Sequence, residues 1–280
     1  MQTIAIERQV MKRQISKPRS FDAWVEALPS QARYTFTRQE AMNALNLSRP
    51  AFNRLAGRMS SRKKLARIHR EFYVVVPLEH AATGIIPADW FIVDLMKYLG
   101  RPFYVGGLSA AEYHGAAHQR PQGLQVVTNR PLRKIECRGM GIRFFVKGTV
   151  TRTSVQNIKG VTGYIPVATA EATAFDLLRY CRQLGGLNHV LTVLQELGEA
   201  IDPVNLVKAA ETDSNIAYAQ RLGWLLEKTE HSAKAQKLAK WVKERRPLYA
   251  RLEPSLPIRG CKRDHRWFLF LNTVVEGDLS

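Results

Sequence analysis

From Ala41 to Arg70 the chain carries eight cations (Arg49, Arg54, Arg58, Arg62, Lys63, Lys64, Arg67 and Arg70) and no Asp or Glu. Folded surfaces ordinarily interleave the two signs, because crowded like charges repel. Unpaired Lys and Arg are almost never buried, so this segment has to lie on the outside of a fold, facing solvent or a polyanion. Its punctuation narrows the choice further. Thr37 followed by Glu40 reads as a capping box, with the hydroxyl on the residue 40 amide and the carboxylate returning to the residue 37 amide. Ala41, Ala44 and Leu45 then recur at helical spacing. Asn46-Leu47 is a short turn, Ser48 a good N-cap, and Pro50 falls in the first turn, where no amide partner is needed. The helix that follows puts Phe52, Leu55 and Met59 on one face and turns Asn53, Arg54 and Arg58 elsewhere. After Ser60–Lys64, the run "LARIHREFYVVVP" is rich in strand formers, and "HRE" can be the turn of a two-stranded ribbon.

Helix, short turn, helix and ribbon is the order of a winged helix-turn-helix. Ahead of it, Ser20 and Asp22 open a helix over "AWVEAL", and "RYTF" is a short extended piece. Residues 1–19 form a basic N-terminal arm, 20–80 a winged helix-turn-helix domain, and 81–88 a linker marked by Gly84 and Pro87. Residues 89–280 form a larger domain. There, strands expected in "PFYV", "GLQVVTNRP" and a hairpin around Gly139-Met140-Gly141 precede a mostly helical stretch from Gly186, with a last strand in "RWFLFLN". The "GGLSAAEYHG" helix is expected to be capped by Ser109, and the helix within "ATAEATAFDLLRY" by Thr169. The fold class is α+β.

The net charge of +18 points to a polyanionic partner, and half of that surplus lies in the first 80 residues. A second basic concentration runs from Arg120 to Lys159 with Glu136 as its lone acid. Alternation on its hairpin puts Arg143 and Lys147 on one side, as further candidates for a nucleic-acid track. The other reading of that side is an unrelated solvated sheet face. Three widely spaced cysteines suggest neither a disulfide framework nor a zinc knuckle. The default is reduced thiols in a cytoplasmic protein without signal peptide or membrane span.

Catalytic patterns fail one by one. His114 and His118 have metal-ligand spacing, but Gly115 stands where a metalloprotease needs its glutamate. Gly106-Gly107-Leu108-Ser109 is similar to the glycine-serine element of nucleotidyltransferases. Yet from Gln119 to Lys159 the only carboxylate is Glu136, so magnesium has no cage. The expectation is therefore no catalytic residue, no metal and no cofactor.

Four stretches carry a resemblance: "YVGGLSAAEYHGAAHQRPQGLQVVTNRP", "IPVATAEATAFDLLRY", "RLGWLLEK" and "LEPSLPIRGCKRDHRWFLFLN". In order and spacing they resemble landmarks of the AbiEi-type antitoxins of type IV toxin–antitoxin systems, over roughly residues 35–275. The resemblance implies a non-enzymatic autoregulator that represses its own operon by binding inverted repeats in double-stranded DNA. It also implies that the larger domain counteracts a nucleotidyltransferase toxin without a stable complex. The chain is expected to be a monomer in solution, with room for cooperativity on DNA.

Ser48, Arg49, Asn53 and Arg54 are the candidates for base edges, since Arg forks onto guanine and Asn onto adenine. Thr37, Arg38, Arg58, Arg62, Lys63, Lys64, Arg67, His69 and Arg70 are the candidates for phosphates, where they would fix register. Two rival readings remain open at this point. One is a winged-helix-targeted DNA nuclease using acids such as Glu171 and Asp176. The other is a basic module that docks an acidic protein partner.

Overall fold

A computed structural model describes residues 20–116, 121–229 and 231–276. The basic arm 1–19 lies outside them, as do His118 and Arg120. The chain divides into two compact units: residues 1–87 with Cys137–Gly139, and residues 88–136 with 140–280.

The first unit runs α1 (Phe21–Ala27), β1 (Thr35–Thr37), α2 (Arg38–Leu45), α3 (Arg49–Ser61), β2 (Leu65–His69) and β3 (Phe72–Val75). Its sheet is antiparallel with β3 in the centre, which is why "FYVV" is buried along its whole length. Ser20 caps α1 by accepting from the Ala23 amide, and Ser48 caps α3 by accepting from Ala51. Half of the capping box forms: the Thr37 hydroxyl accepts from the Glu40 amide at 3.2 Å. The Glu40 carboxylate does not return to residue 37. The Thr37 backbone is engaged in the β1–β3 ladder, and Glu40 Oε1 accepts from Arg33 instead.

The core is an aromatic nest. Phe21, Phe36, Phe52 and Tyr73 meet at centroid separations of 5.3–6.3 Å, mostly edge to face, with Trp24 against Phe36. Such pairs add about 0.5–1.5 kcal/mol each beyond area burial. Phe52, Ala56 and Met59 press α3 into this nest; Leu55, also expected there, packs half-buried at its rim. Arg138, in a left-handed conformation, donates to the carbonyls of Ser60, Leu65 and Gly84 within this unit.

The second unit begins with α4 (Ile92–Tyr98), β4 (Phe103–Val105), α5 (Gly107–Tyr113), β5 (Leu124–Thr128), β6 (Ile135–Cys137), β7 (Met140–Val146), β8 (Val155–Gly160) and β9 (Gly163–Ala168). A helical run follows: α6 (Ala170–Arg179), α7 (Gly186–Leu197), α8 (Pro203–Asp213), α9 (Ile216–Lys228) and α10 (Ser232–Glu244). Three short strands close the chain: β10 (Ala250–Arg251), β11 (Lys262–Asp264) and β12 (Leu269–Leu271). The six-stranded sheet has the mixed order β6-β7-β5-β4-β9-β8. The class is α+β, as the order of elements in the sequence implies.

Helix α6 is the hub. All of Ala170–Leu178 is buried, because α5, α7, α8, α9 and β9 surround it. Thr169 caps it through the Ala172 amide. Ser109 does not cap α5, which starts three residues earlier than expected, at Gly107 with Gly106 as its N-cap. Gln125 Oε1 takes the Leu108 amide at 2.7 Å in the role of a cap, and Ser109 Oγ accepts from the Gln125 amide. No described helix is long and apolar enough to cross a membrane.

Candidate nucleic-acid interface

Helix α3 presents a face that the core does not need. Between the buried positions 52, 56 and 59 lie Arg49, Asn53, Arg54 and Arg58, all exposed. Ser48 at the N-cap and Pro50 in the first turn set where the helix begins, and so which side chains stand on its leading turn.

The cations are not equivalent. Among the described residues, Arg49, Arg54, Arg62, Arg67 and Arg70 are exposed and make no side-chain hydrogen bond or ion pair. The others are engaged within the unit. Arg58 is 3.5 Å from Asp22 and Lys64 is 2.7 Å from Glu26, so two acids of α1 answer two of the eight cations. Exposed pairs of this kind are worth roughly 0–1 kcal/mol and exchange readily for a phosphate. Lys63 Nζ donates to the Ala82 carbonyl at 3.2 Å.

Arg38 is held more firmly. Its guanidinium pairs with Glu71, and its amide donates to the Glu71 carbonyl at 2.8 Å, tying the start of α2 to the β2–β3 turn. Arg38 is therefore a brace between helix and ribbon. The His69 imidazole titrates below its usual range, first because burial disfavours its charge and then because Arg70 is adjacent. Both effects disfavour the charged imidazole, so among the phosphate candidates His69 is the one whose surroundings oppose its charge.

Arg143 is exposed on the second unit, with its guanidinium 5.8 Å from the Phe145 ring centre. Lys147 is a correction. The side it shares with Arg143 is open at Arg143 but covered by helix α6 at Lys147, just past the end of β7. Lys147 is 3% exposed, its Nζ 3.0 Å from Asp176 Oδ1 and 3.4 Å from Asp213 Oδ2. It can reach no phosphate.

This buried charge cluster is what the sequence reading missed. Arg179 grips both oxygens of Asp213 at 2.9 and 3.0 Å, and Tyr104 donates to Asp176 at 3.2 Å. Burial pushes the Asp176 carboxyl above its ordinary range, and Lys147 and the Tyr104 hydroxyl pull it back. Two cations thus balance two anions contributed by distant segments, a pairing that no local spacing advertises.

The acids a nuclease would need are closed off. Asp176 belongs to that cluster, and the Glu171 carboxylate is buried on the Asp202 amide at 2.8 Å. His114 bonds the Ala168 carbonyl through Nε2. Among the described residues, no group of three or more His, Cys, Asp or Glu is placed to hold a metal ion.

Comparison with known proteins adds three findings. No curated protein is similar enough in sequence to match the chain. Among solved structures, the RV2827C protein from Mycobacterium tuberculosis shares the fold at a TM-score of 0.63 and 14% identity, over 88% of this chain and 89% of that one. Residues 104–228 match the model of the AbiEi antitoxin C-terminal domain. That span covers three of the four landmarks almost entire, including the α6 hub. Over residues 104–228, and so through its larger unit, the chain is similar to the AbiEi antitoxin C-terminal domain.

Proposed function

We propose that the first unit is a winged helix that binds double-stranded DNA at inverted repeats in the chain's own promoter and represses its operon. In this reading the larger unit counteracts a nucleotidyltransferase toxin without forming a stable complex with it. The observation that carries the DNA reading is the outward face of α3. Arg49 and Arg54 are exposed on it without an intramolecular partner, Arg54 opposite the side chains that anchor the helix and Arg49 at its first turn. The element order α1–β1–α2–α3–β2–β3, a helix pair followed by a ribbon, supports this reading, in which α3 enters a major groove and the ribbon lies on flanking phosphates. Arg67 on β2 and Arg70 in the ribbon turn extend the same surface chemistry.

Gel shifts on a fragment of that promoter test it. Arg54→Ala is expected to lose about 1–3 kcal/mol of preference for promoter over random DNA, the worth of one bidentate base contact. Arg67→Ala is expected to weaken both about equally, as a phosphate contact does. Arg67 suits this test better than Lys64, which Glu26 already engages. An Arg54→Ala variant with undiminished promoter preference would remove α3 as the reading helix.

The three unpartnered cations left for phosphates, Arg62, Arg67 and Arg70, set a slope of about −2.7 for log K against log salt. An affinity that barely changes between low and moderate salt would mean that these cations do not lie on a backbone.

A further inference from the structure

Residues 245–266 hold seven Lys and Arg and only two acids. Neither acid is in an ion pair among the described residues. Glu253 Oε1 accepts from the Ser255 amide and hydroxyl, and Asp264 Oδ1 accepts from the amides of Arg266 and Trp267. Arg245 and Arg266 are answered from the helices, by Glu211 and Glu227. Arg246, Arg259, Lys262 and Arg263 have no carboxylate partner.

The arrangement of this charge is specific. In the three-stranded sheet β10-β12-β11, Arg251 and Arg263 both stand in register with Phe270, one on each side. Cation, ring and cation therefore form a row across one face. Tyr249 lies two residues before Arg251, on the same face. Its ring is 5.4 Å from Phe270 and 5.7 Å from Phe268, and its hydroxyl is 2.6 Å from His265 Nδ1. The Arg263 guanidinium is 5.3 Å from the Phe270 ring centre and 5.6 Å from that of Tyr249. The opposite face supplies Leu252 and Leu269 to the core. The face with the row is open: both arginines are exposed and both rings half-buried.

Rings and guanidinium planes interleaved with free cations on an open sheet suit unpaired nucleotides. Bases stack on the planes while phosphates meet the charges. A duplex would offer its phosphates but hide its base faces. An acidic peptide would engage the cations and leave the rings unused. We propose that the β10–β12 face binds single-stranded nucleic acid, with a base stacked at Tyr249, Arg263 and Phe270 and the backbone against Arg251 and Arg259. This activity stands apart from duplex binding by α3.

Fluorescence anisotropy on the full chain tests it, using labelled twelve-nucleotide oligo-rU and oligo-dT, an abasic phosphodiester of equal length, and an oligoglutamate competitor. Arg263→Ala and Tyr249→Leu are each expected to weaken binding of at least one base-bearing strand about tenfold or more. Arg54→Ala should leave that binding within twofold. Loss for rU or for dT supports the proposal, and the tighter of the two identifies RNA or DNA as the source. Unchanged affinity in Arg263→Ala overturns it; that side chain is exposed, so its variant carries the test even if Tyr249→Leu fails to fold. An abasic strand that binds as tightly as dT overturns the stacking. Oligoglutamate that displaces dT as well as unlabelled dT does overturns the proposal in favour of an acidic protein partner.

Discussion

Lys147→Ala is expected to cost the second unit about 3–5 kcal/mol, the usual penalty for removing one partner of a buried ion pair. The lysine is the only cation within reach of Asp176 among the described residues, and Asp176 is fully buried. Its Oδ1 also accepts from Tyr104, but its Oδ2 has no hydrogen-bond partner and faces Gly106, where there is no room for one. Asp213 fares better after the loss, because Arg179 still holds both of its oxygens. Urea unfolding followed by a probe in the second unit measures the effect. The double variant Lys147→Met with Asp176→Leu removes both charges and is expected to lose less than Lys147→Met alone. Losses that simply add would mean that the two charges do not stabilise one another.

Trp267→Ala is the other large effect, at about 3–5 kcal/mol for deleting a fully buried indole. The ring lies flush against Gly223 in α9, where even a Cβ would come within 2.0 Å of it, and its Nε1 donates to Glu227 at 2.8 Å. Emptying that space leaves a cavity between α9 and the closing sheet and removes the indole donor from Glu227, whose other oxygen keeps Arg266. The reciprocal change, Gly223→Ala, overpacks the same contact and is expected to cost about 1–3 kcal/mol. The two changes share one contact, so Gly223→Ala in the Trp267→Ala background should cost little or nothing. A full penalty in that background would show that the glycine answers to something other than the indole.

That contact also shows what could be read from the residues and what could not. "RLGWLLEK" and "RWFLFLN" were both legible as landmarks, yet nothing in either announces that Gly223 of one exists to admit Trp267 of the other. Local grammar was legible throughout the first unit. Ser20, Thr37 and Ser48 cap helices because a cap needs only a side chain three residues from its amide. The second half of the capping box was lost to Arg33, a partner seven residues from Glu40 that competes successfully for the carboxylate. Ser109 was displaced as a cap by Gln125, which arrives from the next strand. Lys147 had the right parity but the wrong environment: period-2 reasoning says which residues share a side, not which side a helix will cover. Arg38 follows the same rule, since the acid that changes its role, Glu71, comes from the ribbon turn 33 residues on.

Helix α3 keeps its outward residues and its anchoring residues in separate registers. Phe52, Ala56 and Met59 do the holding, while Arg49, Asn53 and Arg54 touch nothing the fold depends on. An exchange at the latter three leaves the aromatic nest intact. On the proposed reading of α3 as the DNA-reading helix, its lettering can therefore be rewritten one position at a time without disturbing the nest, and lineages of such proteins would diverge in their operators long before they diverge in architecture.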